Sequence, residues 1–163
     1  VSKDQHFKDT TIPNFLDIRE RLKDCPSATP YVDLDMGLRI LNETIINRIF
    51  ELQGVKNIRL VRANLEVIGS TSLADDSQDF VLIKNVLFQN DGKLEIIKEA
   101  KRILRPDGRL TIIDWEKGTG GFGPPDEYRT PKESILILAN QEEFIYERNI
   151  SIDMYHFGLI FRK

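Results

Sequence analysis

The stretch Asp79-Phe80-Val81-Leu82-Ile83-Lys84-Asn85-Val86-Leu87-Phe88-Gln89 decides the fold. Four consecutive apolar residues, 80–83, predict a strand buried on both faces, and Lys84 and Asn85 place polar groups at its exit. In an open α/β sheet, ligands bind beyond the carboxyl ends of the strands, in the crevice where the strand order reverses. Every other segment can be placed relative to that exit.

Upstream, residues 58–63 predict a strand and 69–78 a polar loop leading into the central stretch. Before them, Leu38, Leu41, Ile45, Ile49 and Leu52 recur at three- and four-residue spacing, the apolar stripe of an amphipathic helix over 36–53. Gly54 supplies its stop. Tyr31-Val32-Asp33-Leu34-Asp35 reads as a short strand ending in acids, and Phe15-Leu16-Asp17-Ile18 as another before it. Residues 1–14 form a polar arm, with Pro13 as punctuation.

Downstream, Asn90-Asp91-Gly92 is a turn, and a helix follows over 93–104 with Leu94, Ile97, Ile103 and Leu104 inward. Arg105-Pro106-Asp107-Gly108 ends it, because proline cannot continue the ladder and glycine takes a left-handed turn. Residues 110–115 predict a buried strand. Residues 118–125, with four glycines and two prolines, predict a mobile surface loop, either a lid or a plain connection. Thr130-Pro131-Lys132-Glu133 has the order of a capping box with proline at the first helical position, opening a helix to about Asn140. Residues 144–150 and 156–162, a few residues apart, predict an antiparallel hairpin at the end of a mostly parallel sheet.

The 163 residues fit a single domain spanning 1–163, and 40% hydrophobic content suffices for one core. The 26 acidic and 23 basic residues are interspersed, giving a net charge of -3 and no basic field for a nucleic-acid backbone. Nucleic acid is not an expected partner. Cys25 stands alone, so no intrachain disulfide forms, and a reducing, cytoplasmic setting is expected. No apolar run approaches the roughly 20 residues of a membrane helix. Two histidines and no ligand-spaced carboxylates argue against a metal.

With the elements in this order, the chain resembles class I S-adenosylmethionine-dependent methyltransferases of the small-molecule type, similar to those of ubiquinone and menaquinone biosynthesis. The residues that carry the resemblance are Leu104-Arg105-Pro106-Asp107-Gly108-Arg109-Leu110, like the family's helix-to-strand turn, and 79–89, like its fourth strand and exit. The resemblance implies a Rossmann-like three-layer α/β sandwich, with a mostly parallel seven-stranded sheet and an antiparallel C-terminal hairpin. It implies S-adenosylmethionine as cofactor, a small-molecule methyl acceptor and no catalytic residue that can be named.

The residues implied to line the cofactor are Asp17, Asp33, Leu34, Asn64, Leu65, Lys84 and Asn85. Asp33 would accept from the ribose hydroxyls, since a carboxylate takes two hydrogen bonds from a vicinal diol; it or Asp35 could instead cap the following helix. Asn64 stands where the family commonly has an acid meeting the adenine amine, yet Asn is also an ordinary strand-exit residue. Lys84 could be merely solvated and Asn85 a cap. On the acceptor side, Asn85, Gln89, Tyr128, Tyr155 and His156 are candidates, although Tyr and His at strand ends also serve packing.

One motif departs from the family. Its first strand runs into a glycine-rich loop, because only glycine lets the backbone approach the methionine end closely. Ile18 is followed by Arg19-Glu20-Arg21-Leu22-Lys23-Asp24, without glycine, and only twelve residues separate the two strands. A segment missing between Ile18 and Arg19 is therefore expected, which the Ile18–Arg19 peptide distance would test. Two rivals stay open: a non-catalytic module that kept the fold, and a nicotinamide-binding Rossmann domain, which lacks its G-x-G-x-x-G here.

Overall fold

A computed structural model describes residues 32–35, 61 and 63–163. The strand and helix expected over 15–18 and 36–53, Asp17, and the Ile18–Arg19 junction lie outside the described residues, as does most of the 58–63 strand.

The described strands are β1 (Val32–Asp35), β2 (Gln78–Lys84), β3 (Leu104–Trp115), β4 (Ile145–Ser151) and β5 (His156–Arg162). They form one sheet in the order β1-β2-β3-β5-β4. β1, β2 and β3 run parallel, and β5 enters antiparallel between β3 and β4. The terminal hairpin thus forms where the short connection predicted it. Helix α1 (Lys93–Ile103) makes the β2-to-β3 crossover, and α2 (Lys132–Gln141) packs beside it on the same face. This is a Rossmann-like α/β arrangement.

Ile96, Ile97, Ala100 and Ile103 form the buried stripe of α1, at the spacing that keeps one face against a sheet. They meet Val81 and Ile83 of β2, Leu110 and Ile112 of β3, and Leu159 and Phe161 of β5 in one core. Each fully buried Ile or Leu contributes about 1.5–3 kcal/mol, so this stripe outweighs the cost of ordering its own side chains. β2 differs from expectation: Val81 and Ile83 are sealed, but Phe80 and Leu82 are only half-buried. The helix-bearing face is closed, and the other is partly covered.

Two local expectations also change. β3 begins at Leu104 and runs through the 105–108 turn instead of starting after it. The β2–β3 ladder jumps there from Gln78↔Leu104 to Phe80↔Arg109, so the extra residues bulge out, with Asp107 at φ 63. A Cβ on Gly108 would lie 2.8 Å from the Arg105 carbonyl, which is why glycine ends the turn. The capping box does not form: α2 starts at Lys132, with Pro131 in the cap position at ψ 137 and no side-chain cap bond. The Pro131 carbonyl accepts the first helical bonds from Ser134 and Ile135, while Thr130 is buried one residue before it.

Candidate functional site

Strand register sets a row across the sheet near its carboxyl edge: Asp35 beside Lys84, Lys84 beside Ile113, Ile113 beside Gly158. Everything polar that follows this row stands over one edge. Asn85, Asp114, Trp115 and His156 all lie on it, Trp115 and His156 being direct cross-strand partners.

At the β2 exit, Asn85 adopts φ 54, a left-handed conformation that Asn tolerates better than most residues. Its N–H donates to the Ile113 carbonyl at 2.9 Å and its carbonyl accepts from Gln89 Nε2 at 2.8 Å. Its side-chain Oδ1 is shut off from solvent and has no partner. A buried amide oxygen is ordinarily satisfied, so this unpaired one at a strand exit is a candidate acceptor for a ligand. The chain then turns through a 3₁₀ segment, Leu87–Gln89.

Asp114 fixes that turn. Fully buried, it accepts from the Phe88 N–H at 3.1 Å on one oxygen and from the Trp115 N–H at 2.8 Å on the other. Burial pushes its carboxyl up to about 6, and the amides of Trp115, Phe88 and Leu87 and the Lys93 charge offset part of the rise. Asp114 was not among the expected site residues. The signal was an acid closing the apolar run Leu110-Thr111-Ile112-Ile113.

The 64–76 segment is pinned to α1. Asn64 Oδ1 accepts from the Glu66 N–H at 3.2 Å, a local turn, and Glu66 Oε1 accepts from the Gly92 N–H at 2.8 Å. The Glu66 carboxylate thus sits at the positive end of α1. Leu65 packs against the core. Farther along, Glu99, 1% exposed, accepts from Gly69 N–H, Thr71 Oγ1 and two nitrogens of Arg102. Its pKa is subject to burial, which raises it, but the Arg102 hydrogen bond and those of Gly69 and Thr71 prevail and bring it to about 2.

A third cluster stands over β3 and β5. The Trp115 indole lies 4.1 Å from the His156 ring and 5.7 Å from Phe122, and Phe122 lies 5.3 Å from Tyr155. Gly123 rests on the indole so closely that a Cβ would fall 2.4 Å from it. Arg129, 3% exposed, is 5.6 Å from the indole centre and donates to the carbonyls of Pro124, Glu116 and Phe122 and to Thr119 Oγ1. The 118–125 segment, expected to be mobile, is wrapped around a buried guanidinium. Beside it, a cleft of about 210 Å³ is lined by Glu116, Lys132, Asn149, Asp153 and His156.

The expected residues therefore fall into two groups on one edge. Asp33 and Leu34, on β1, pair with Leu82 and Ile83 of β2, just before Lys84 and Asn85, and the Asn64–Glu66 turn is held beside the start of α1. Tyr155 and His156 stand two strands from β2, and Gln89 joins the first group through its bond to the Asn85 carbonyl. Tyr128 is 63% exposed and joins neither. Among the described residues, no three His, Cys, Asp or Glu side chains are placed to hold a metal, and no helix is long and apolar enough to cross a membrane.

Residues 34–112 match the sequence profile of the methyltransferase domain family. A Sulfolobus solfataricus structure, described as that of a type 11 methyltransferase, is 27% identical over 92% of this chain and 78% of its own, with TM-score 0.63. Residues 34–112 carry a methyltransferase domain of the class I S-adenosylmethionine-dependent type. Two more distant members of the fold agree with the architecture of this methyltransferase. An S-adenosylmethionine-dependent methyltransferase from Aquifex aeolicus is 22% identical, covering 81% of this chain and 67% of that one, with TM-score 0.66. The 1,6-didemethyltoxoflavin-N1-methyltransferase of Burkholderia thailandensis, solved with its acceptor and S-adenosylhomocysteine, is 16% identical, covering 76% and 58%, with TM-score 0.56. No curated protein sequence matches the chain.

Proposed function

We propose that this methyltransferase moves the methyl group of S-adenosylmethionine to a small-molecule acceptor over the carboxyl edge of β1, β2 and β3, within a seven-stranded sheet of which these strands are part. The observation that carries the proposal is the direct parallel pairing of β1 with β2, Asp35 opposite Lys84. In the standard doubly wound order, the neighbour of strand four on this side is strand one. The family match also begins on β1, at Leu34. β1 then takes the first-strand role, and the donor loop is the chain after Asp35, which in sequence continues Met36-Gly37. The glycine-free stretch after Ile18 has no donor to hold, and Asp17 drops out of the site.

The residues present suit the donor. Asp33 and Asp35 stand on β1 opposite Leu82 and Lys84, next to the exit where Asn85 Oδ1 has no partner, and acceptor groups of these kinds match the hydroxyls and ammonium of S-adenosylmethionine. Asn64 and Leu65 border the same edge on the side of α1. When bound, the donor supplies a methyl already activated by its sulfonium. What the chain contributes is alignment and exclusion of water: Asn85 is locked by Ile113 and Gln89, and Asp114 holds the turn that follows.

Calorimetric titration with S-adenosylhomocysteine tests the proposal. Binding that Asn85→Ala weakens supports it; no binding by the wild-type chain would instead favour a non-catalytic module that kept the fold.

A further inference from the structure

The His156 imidazole is held as the base of a hydrogen-bonded pair. Asp153 oxygens lie 2.9 Å from Nδ1, and Oδ1 also accepts from the N–H groups of Tyr155 and His156. A carboxylate only accepts, so Nδ1 carries a proton, and in the neutral ring Nε2 presents the lone pair. Burial raises the Asp153 pKa, but the His156 hydrogen bond and the Tyr155 amide outweigh it and keep the group below the usual carboxylate range. The Trp115 indole lies against the ring at 4.1 Å, tilted by 37°, and limits its rotation. Nε2 is closed to solvent and has no partner. A nucleophile-activating pair has these parts: a base within a stack, its tautomer set by a third group, and an unused nitrogen.

We infer that His156 is the general base that deprotonates the methyl acceptor, and that the acceptor is a planar molecule presenting an ionisable hydroxyl or ring N–H. The inference rests on the methyltransferase reading above and names the acceptor class of that site. Trp115, Phe122 and Tyr155 form an aromatic cluster beside His156, and Phe122, 48% exposed, offers a face that suits such a ring. The acceptor proton passes to Nε2, giving an imidazolium paired with Asp153. The freed lone pair forms the new bond to the methyl carbon, and the old carbon–sulfur electrons return to sulfur, leaving a neutral thioether. The acceptor enters from the cleft that His156 helps to line. Other charged groups facing His156 are Glu116 at the end of β3 and Lys132 of α2 in the shared cleft, with Arg129 across the indole and Asp114 beside Trp115. Arg129 makes no ion pair among the described residues and favours an anion nearby.

The probe is 4-nitrophenol, whose visible band appears on ionisation, mixed with the protein and S-adenosylhomocysteine in buffer below the phenol's own ionisation point. Wild type is expected to generate the phenolate band, His156→Gln to lose it, Asp153→Asn to weaken it, and added imidazole to restore it in His156→Gly. Calorimetric binding of S-adenosylhomocysteine by His156→Gln, unchanged from wild type, shows that the variant is folded. A wild type without the band, or a His156→Gln variant that keeps it, overturns the inference. Loss of S-adenosylhomocysteine binding in wild type contradicts the methyltransferase reading instead.

Discussion

The Asp114 carboxylate at the end of β3 accepts a 3.1 Å hydrogen bond from the Phe88 amide beyond the end of β2. One buried acid thus fixes the turn that follows the central strand. Its pKa, raised from 3.8 to about 6, makes the folded state hold a proton that the unfolded chain releases. Stability therefore falls as pH rises from about 4 through 6, by an upper limit of about 3 kcal/mol for this group. Urea unfolding of wild type and Asp114→Asn at both ends of that window measures it. The wild type should lose more stability than the variant on going from pH 4 to 7.

Glu99 behaves with the opposite sign. Its pKa falls from 4.5 to about 2, so its contribution is complete above pH 4.5 and disappears as pH falls toward 2. Replacing it with Ala leaves Arg102 and Thr71 without their shared acceptor and should cost about 3–5 kcal/mol at neutral pH. Thermal unfolding at pH 7 and pH 3 checks both statements: the wild-type advantage over Glu99→Ala should shrink at the lower pH.

Trp115 is the only tryptophan and lies under the 118–125 loop, so its fluorescence reports the loop. Arg129→Lys cannot serve acceptors on Pro124, Glu116, Phe122 and Thr119 together, because an ammonium has three donors and no planar fork. Its emission should shift to the red, and a protease should cut the loop faster than in wild type.

Glycines in that loop should separate into two classes. Gly123→Ala places a methyl inside the Trp115 ring and must displace the loop, reproducing the Arg129→Lys emission shift. Gly120→Ala meets open space and faces only its φ of 54, costing about 1 kcal/mol without changing the emission.

The parallel strands, the crossover helix and the terminal hairpin were legible because each rests on a short-range pattern: the apolar run at 80–83, the α1 stripe, and two strands split by a four-residue link. What escaped depends on contacts far apart in sequence. Nothing local distinguishes a mobile glycine loop from one organised by Arg129, nor shows that Asp114 reaches back 26 residues to Phe88. Strand order was the other missing element. Tyr31–Asp35 reads as a strand in sequence, but only its pairing with β2 gives its neighbour in the sheet, and that pairing is what motivates the proposed donor loop after Asp35 in place of the segment after Ile18.

The most direct test of that assignment is hydrogen–deuterium exchange of the wild-type chain with and without S-adenosylmethionine. Slower exchange at the amides of 33–37 and 85–88, with none at 17–24, is the expected result. Protection at 17–24, or exchange unchanged throughout, would contradict a donor site between β1 and β2.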